Sequence, residues 1–181
     1  MQATSECPSL ATLATLPYID ADGQLPHQFE GKIGVYAIYS SAPELVYIGY
    51  SRDVSLSLKQ HLVRQPQHCE GVKVFTVARP NRTLLEDIKT TWVAENGQVP
   101  VGNGPSVALW EEPIDVKAKM LPEELAQYVD PQLEDRQHLL ILKNAARRIE
   151  QEILDILAQR GVQEAIRFNP KLKEQGLLDL K

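Results

Sequence analysis

The chain has 181 residues, with 19 Lys+Arg against 24 Asp+Glu and a formal charge of −5 at pH 7. That length can bury a sizeable core in one domain with an extension, and the acidic balance argues against strong nonspecific binding to nucleic acid. Hydrophobic residues make up 43% and charged residues 24% of the chain, as in a soluble globular protein, and no apolar run approaches the roughly 20 residues that cross a bilayer. Met1 to Glu6 has neither a basic region nor an apolar run, so the expectation is a cytoplasmic protein without a secretory signal. Two cysteines, Cys7 and Cys69, are too few for a disulfide framework or a zinc ribbon. They read as an exposed tail thiol and a small buried one.

Taken in order, residues 1–30 are polar and interrupted by Pro8, Pro17 and Pro26. They read as an arm that packs in part on the domain, with one amphipathic turn around Leu10, Leu13 and Leu16. Gly34 to Tyr39 alternates and is rich in β-branched and aromatic residues, which predicts a strand. Ser40 to Glu44 is a proline-containing hairpin loop, and Leu45 to Tyr50 is the return strand. A helix follows over 53–62, capped by Ser51 or Asp53, with Val54, Leu58 and Leu62 as its buried stripe. Ser57 and His61 share another face of it. Gly71 to Ala78 predicts a third strand, and Leu84 to Glu95 a second helix stopped at Asn96-Gly97.

Val99 to Pro105 is a tight glycine–proline loop carrying Asn103, and Ser106 to Trp110 reads as a short extra strand, with Trp110 a core or lid residue. Leu121 to Tyr128 predicts a short helix with proline in its first turn. Glu134 to Arg160 is the longest periodic stretch, with Leu139, Leu142, Ala146, Ile149, Ile153, Ile156 and Leu157 at three-and-four spacing. It is either a helix packed on its own domain or a surface for a protein partner or homodimer over residues 134–160. Residues 166–181 read as a loosely held tail. The divisions are an arm over 1–30, a domain over 31–112 and a helical extension over 113–181. The fold class is mixed α/β (α+β), with a small three-stranded, mainly antiparallel sheet flanked by helices.

Gly34-Val35-Tyr36 followed at an eleven-residue step by Tyr47-Ile48-Gly49 resembles the paired signature of the GIY-YIG nuclease superfamily. A longer similarity runs from Gly34 to Gly104, through Cys69-Glu70-Gly71-Val72-Lys73-Val74 and Val99-Pro100-Val101-Gly102-Asn103. It resembles the N-terminal GIY-YIG domain of chloroplast CGFS-type monothiol glutaredoxins, although no Cys-Gly-Phe-Ser occurs in these residues. The resemblance implies a lineage of cyanobacterial or plastid type, a redox-responsive Cys69 and metal-dependent hydrolysis of DNA phosphodiesters. In that chemistry one phenol helps to deprotonate water, a glutamate holds Mg²⁺ or Mn²⁺, and an arginine contacts the phosphate. A phenol with a pKa of about 10 needs nearby positive charge to act as a base at neutral pH.

Position by position, the resemblance implies site roles for Tyr36, Tyr47, His61 and Asn103, the last through organisation of its loop's backbone. The metal carboxylate aligns best with Glu95, with Glu86 earlier on the same helix as the second candidate. The arginine is missing, for Ser57 stands ten residues after the second tyrosine. Loss of such a cation costs about 3–5 kcal/mol of transition-state stabilisation. Arg52 is the nearby residue that could stand in. Residues 31–104 hold eight Lys+Arg and six Asp+Glu, so this stretch could neutralise a few phosphates but no long duplex. Two expectations stay open: an endonuclease with a degraded site and weak or absent activity, and a noncatalytic interaction module that uses the C-terminal helix.

Overall fold

A computed structural model describes residues 7–181. The reading of Met1 to Glu6 therefore lies outside the described residues. The chain divides into two compact units, residues 1–111 and 112–181.

The first unit is built on a four-stranded antiparallel sheet in the order β1-β4-β2-β3: β1 (Leu16–Pro17), β2 (Ile33–Tyr39), β3 (Leu45–Ser51) and β4 (Gly71–Val77). Three strands fall where alternation predicts them. The fourth, β1, is the addition, and it comes from the supposed arm. Its two residues pair with Val72 and Gly71, too short a stretch for any period to reveal. The rest of that segment is also held. Leu10 and Tyr18 are buried, and the Tyr18 hydroxyl donates to the Leu58 carbonyl at 2.6 Å.

Because strand side chains alternate, β2 offers Val35 and Ala37 to one face and Tyr36 and Ile38 to the other. Helix α2 (Arg82–Asn96) covers the first face, where Leu85, Ile88 and Trp92 cluster with Val35, Ala37 and Ile48. It starts at Asn81, whose side chain accepts from Leu84 N–H, and stops at Gly97, where φ is +80°. Helix α1 (Val54–Arg64), capped by Asp53, lies against the second face and buries Leu58, His61 and Leu62. The predicted strand at 106–110 is instead a short helix, α3 (Val107–Glu111). Five residues carry too little periodicity to separate the two states.

The outer edge of β3 is closed by a side chain. Asn103 accepts from Ile48 N–H and donates to Ile48 C=O, both at 2.7 Å. The amide thus occupies the backbone groups that an edge strand would leave open. The backbone that the Asn103 side chain holds is thus that of β3, whereas the resemblance implies organisation of its own loop.

The second unit is organised by α5 (Asp135–Gln159), which buries Leu142, Ala145, Ala146, Ile149, Ile153 and Leu157. Helix α4 (Pro122–Tyr128) packs beside it, tied by Arg148 to Glu124 at 2.7 Å. Leu139 lies at the start of the predicted stripe but is 37% exposed. The C-terminal segment is not a loose tail. After α6 (Pro170–Lys173), β6 (Leu177–Leu178) pairs antiparallel with β5 (Ile114–Asp115), and Phe168 and Leu178 are buried.

Replacing Asn103 by Ala should remove two hydrogen bonds and leave both Ile48 backbone groups unmatched, at a cost of about 2–3 kcal/mol. Urea denaturation of the two proteins measures it, and an unchanged midpoint would show that the clamp contributes nothing.

Candidate active site

The hairpin register sets Tyr36 opposite Gly49 and Ile38 opposite Tyr47. Tyr36 and Tyr47 are therefore diagonal neighbours on the α1 face, with ring centroids 6.3 Å apart. Gly49 makes room for them. A Cβ there would lie 2.7 Å from the Tyr36 hydroxyl oxygen and 2.7 Å from Tyr47 Cε1. Gly34 meets a different constraint, for its Cβ would fall 2.4 Å from the Phe75 carbonyl oxygen on β4. Each glycine of the paired signature answers a local steric demand.

Helix α1 delivers His61 between the rings. Its Nε2 lies 2.9 Å from the Tyr36 hydroxyl, and its ring centroid is 4.6 Å from that of Tyr47. Ser57 and Arg64 share its face at i−4 and i+3. Helix α3 then covers the group. Trp110 stacks on Tyr47, with centroids 5.2 Å apart and planes within 2°. Glu111 Oε1 accepts from the Tyr47 hydroxyl at 3.1 Å. Arg64 Nη1 donates to the Trp110 carbonyl at 2.9 Å and Gln65 Nε2 to that of Leu109 at 3.1 Å, fastening α3 to the end of α1. Gly102 lets the indole approach, for a Cβ there would sit 2.7 Å from Trp110 Nε1.

Tyr36, Tyr47, His61 and Trp110 are each 3–4% exposed. Burial is also the leading electrostatic effect. It raises the pKa of both phenols, and the Glu111 carboxylate adds to the rise in each. Arg64 acts against the rise in both, and a hydrogen bond with Ser57 does so for Tyr36. Burial, helped by the Arg64 charge, pushes His61 down to about 3. At neutral pH the cluster is two phenols and a neutral imidazole.

Of the residues nominated from sequence, the structure brings together Tyr36, Tyr47 and His61, with Asn103 clamping the intervening Ile48. Glu95 is elsewhere. Its carboxylate accepts from Ser9 Oγ at 2.6 Å, Leu10 N–H at 2.9 Å and Ala11 N–H at 3.0 Å. Leu10 belongs to the α2-side core, so Glu95 fastens the N-terminal segment on the sheet face opposite the phenols. Those donors hold its pKa below the usual carboxylate range. Glu86 accepts from Tyr50 Oη and Arg82 Nε, both at 2.9 Å. Arg52 is exposed and lines a cleft with Tyr50 and Arg82.

Two residues that sequence reasoning did not nominate stand at the phenols, Arg64 and Glu111, whereas Trp110 takes the core or lid place expected of it. The Ser57, His61, Arg64 spacing carried a signal for the first. For Glu111 there was none, because its position depends on α3 being a helix. Among the described residues no three or more His, Cys, Asp or Glu side chains group as a metal site. Glu95 does not fit the metal role, since its oxygens are taken. Glu111 does, as an exposed carboxylate beside a phenol, and Mg²⁺ is often held by one or two carboxylates together with substrate phosphates. Cys69 is fully buried, the setting of a packed thiol.

Two outcomes follow from these placements. Glu95→Ala should lower stability by about 1 kcal/mol, as loss of an exposed cap does, and speed proteolysis within residues 7–18. Equal protease sensitivity would contradict that anchoring role. The depressed His61 pKa means that the unfolded chain takes up a proton between pH 6.5 and about 3 that the folded chain refuses. Stability therefore falls as pH falls through that window, by up to about 1.4 kcal/mol per unit. Urea midpoints between pH 7 and 5 should show the slope in the parent and a flatter profile in His61→Phe.

Over 99 residues the chain is 34% identical to the bifunctional monothiol glutaredoxin-S16, chloroplastic, of Arabidopsis thaliana. The matched stretch is 52% of this chain and 32% of that protein, so the chain spans about a third of the relative it matches. No protein-family profile matches the chain. The match is consistent with a link between half of this chain and the N-terminal domain of that glutaredoxin.

Proposed function

We propose that the first unit is a GIY-YIG-type domain and acts as a weak, metal-dependent endonuclease on DNA. The observation that supports this most is the convergence of Tyr36, His61 and Tyr47, with a carboxylate from Glu111 at the second phenol. Hydrolysis needs a base for water and a charge on the phosphoryl oxygens. Glu111 would hold a Mg²⁺ or Mn²⁺ ion beside Tyr47, and that ion would supply positive charge next to the phosphate. His61, neutral at pH 7, is in position to accept the Tyr36 proton through Nε2 once that phenol engages water. Arg64 is the cation nearest in effect to both phenols and stands in part where the guanidinium at 57 is lacking.

Two features keep the activity low. The arginine deficit costs about 3–5 kcal/mol. The phenols are also closed off beneath α3. Opening α3 breaks one aromatic stack and the three hydrogen bonds to Trp110, Leu109 and Glu111, at about 1 kcal/mol each. Exposing the buried Trp110 ring adds to this, so an opening cost of at least about 4 kcal/mol leaves no more than on the order of one molecule in a thousand competent.

A second reading, a noncatalytic interaction module, has its own support in the second unit. Leu121, Leu125 and Val129 recur every four residues from the N-cap of α4 to its C-cap, and all are exposed, as are Leu139 and Leu140 on α5. This stripe suits a protein partner or a second copy.

Plasmid nicking in Mg²⁺ or Mn²⁺ separates the two. The nuclease reading expects slow nicking that Tyr36→Phe and Glu111→Gln each reduce at least about tenfold, with Glu95→Ala retaining it. Nicking that survives Tyr36→Phe marks a contaminant, and no nicking with either metal leaves the interaction module.

A further inference from the structure

Beyond the phenols, the junction of β3 with α2 holds a cleft of about 480 Å³ lined by Tyr50, Ser51, Arg52, Pro80, Asn81, Arg82 and Leu85. We propose that this cleft binds a nucleotide through its phosphate. The volume lies within the range of small-molecule sites, about 300–1,000 Å³. Its lining combines two arginines, Arg52 and Arg82, with the Tyr50 ring and Pro80 as apolar surface for a base, over the buried Leu85.

The two arginines differ in how they are held. Arg82 has a partner, for Glu86 accepts from its Nε at 2.9 Å and from the Tyr50 hydroxyl at 2.9 Å, although the arginine side chain is 83% exposed. One carboxylate thus orients a cation and an aromatic ring together. The guanidinium has five N–H donors, so this bond leaves others for an anion. Arg52 is exposed and has no hydrogen bond or ion pair with the described residues. Arg52 and Arg82 against Glu86 leave one net positive charge in a chain of net charge −5. That excess suits a single phosphate rather than a long duplex tract. Planar guanidinium forks match phosphate geometry better than an ammonium would.

The cleft shares no residue with Tyr36, Tyr47, His61, Trp110 or Glu111. Tyr50 follows Gly49 on β3 and so faces the other side of the sheet. Binding here therefore stands apart from catalysis by the phenols. The phosphate could come from a free nucleotide or from a single-stranded oligonucleotide, and the same chemistry holds either.

The test is calorimetric or fluorescence titration of the full chain with 5′-AMP, adenosine, inorganic phosphate and a labelled 12-nucleotide single strand. AMP should bind at least about tenfold more tightly than adenosine or phosphate alone, and Arg52→Ala should weaken it about tenfold. Arg52 is unengaged, so that variant folds as the parent does, and Arg82→Ala provides a second reading. AMP that displaces the oligonucleotide identifies the strand as a source of the phosphate, and AMP binding without strand binding identifies the free nucleotide. Phosphate binding as tightly as AMP, no AMP binding up to about 5 mM, or affinity unchanged in both arginine variants overturns the proposal. Tyr36→Phe should keep AMP affinity while losing nicking, so failure of this site and failure of the nuclease reading can be told apart.

Discussion

The first unit depends on a missing methyl group. With hydrogen in place of a side chain at Gly49, the Tyr36 phenol can lie across β3 and meet His61, while Tyr47 packs alongside. Everything nearby is arranged on that contact. Helix α1 must stand close enough to place His61 between the rings, and α3 must cover Tyr47 with Trp110. The result is a dry, neutral cluster. Its protons are held more tightly on the phenols and more loosely on the imidazole than in water.

That arrangement cuts against efficient phosphodiester chemistry as it stands. A phenol whose pKa is raised by burial is a poor base, and one positive charge from Arg64 does not offset the loss of water. The cluster needs α3 displaced and further positive charge brought in before it can act on a phosphate. Closure and the serine at 57 work in the same direction, which is why weak hydrolysis and a binding role remain neighbouring readings. Both keep the fold, and they differ in whether α3 ever opens.

Much of this was legible in the residues, for identifiable reasons. Strands β2, β3 and β4 alternate over seven residues each, long enough for the period to show. The caps of α1 and α2 are Asp53 and Asn81, both with side chains on the helix N–H groups, and Gly97 sits where a left-handed residue is required. The phenols and His61 meet because their spacing fixes their faces. What failed depends on contacts distant in sequence. Strand β1 exists only because β4 is there to pair with it. Glu95 lies three residues after the buried Trp92, on the side of α2 where residues 9–11 cross, so that segment takes its carboxylate. The acid that does reach a phenol, Glu111, ends a five-residue helix whose first four residues read as a strand.

The most direct test of a closed, neutral cluster is the titration of the His61 imidazole in the folded protein, followed by NMR with His61→Phe to assign its signals. A proton held off until well below pH 5, with signals unchanged between pH 8 and 5, is the predicted result. Titration near pH 6.5 would mean that water reaches the ring, and the covered phenol pair would then be the wrong description.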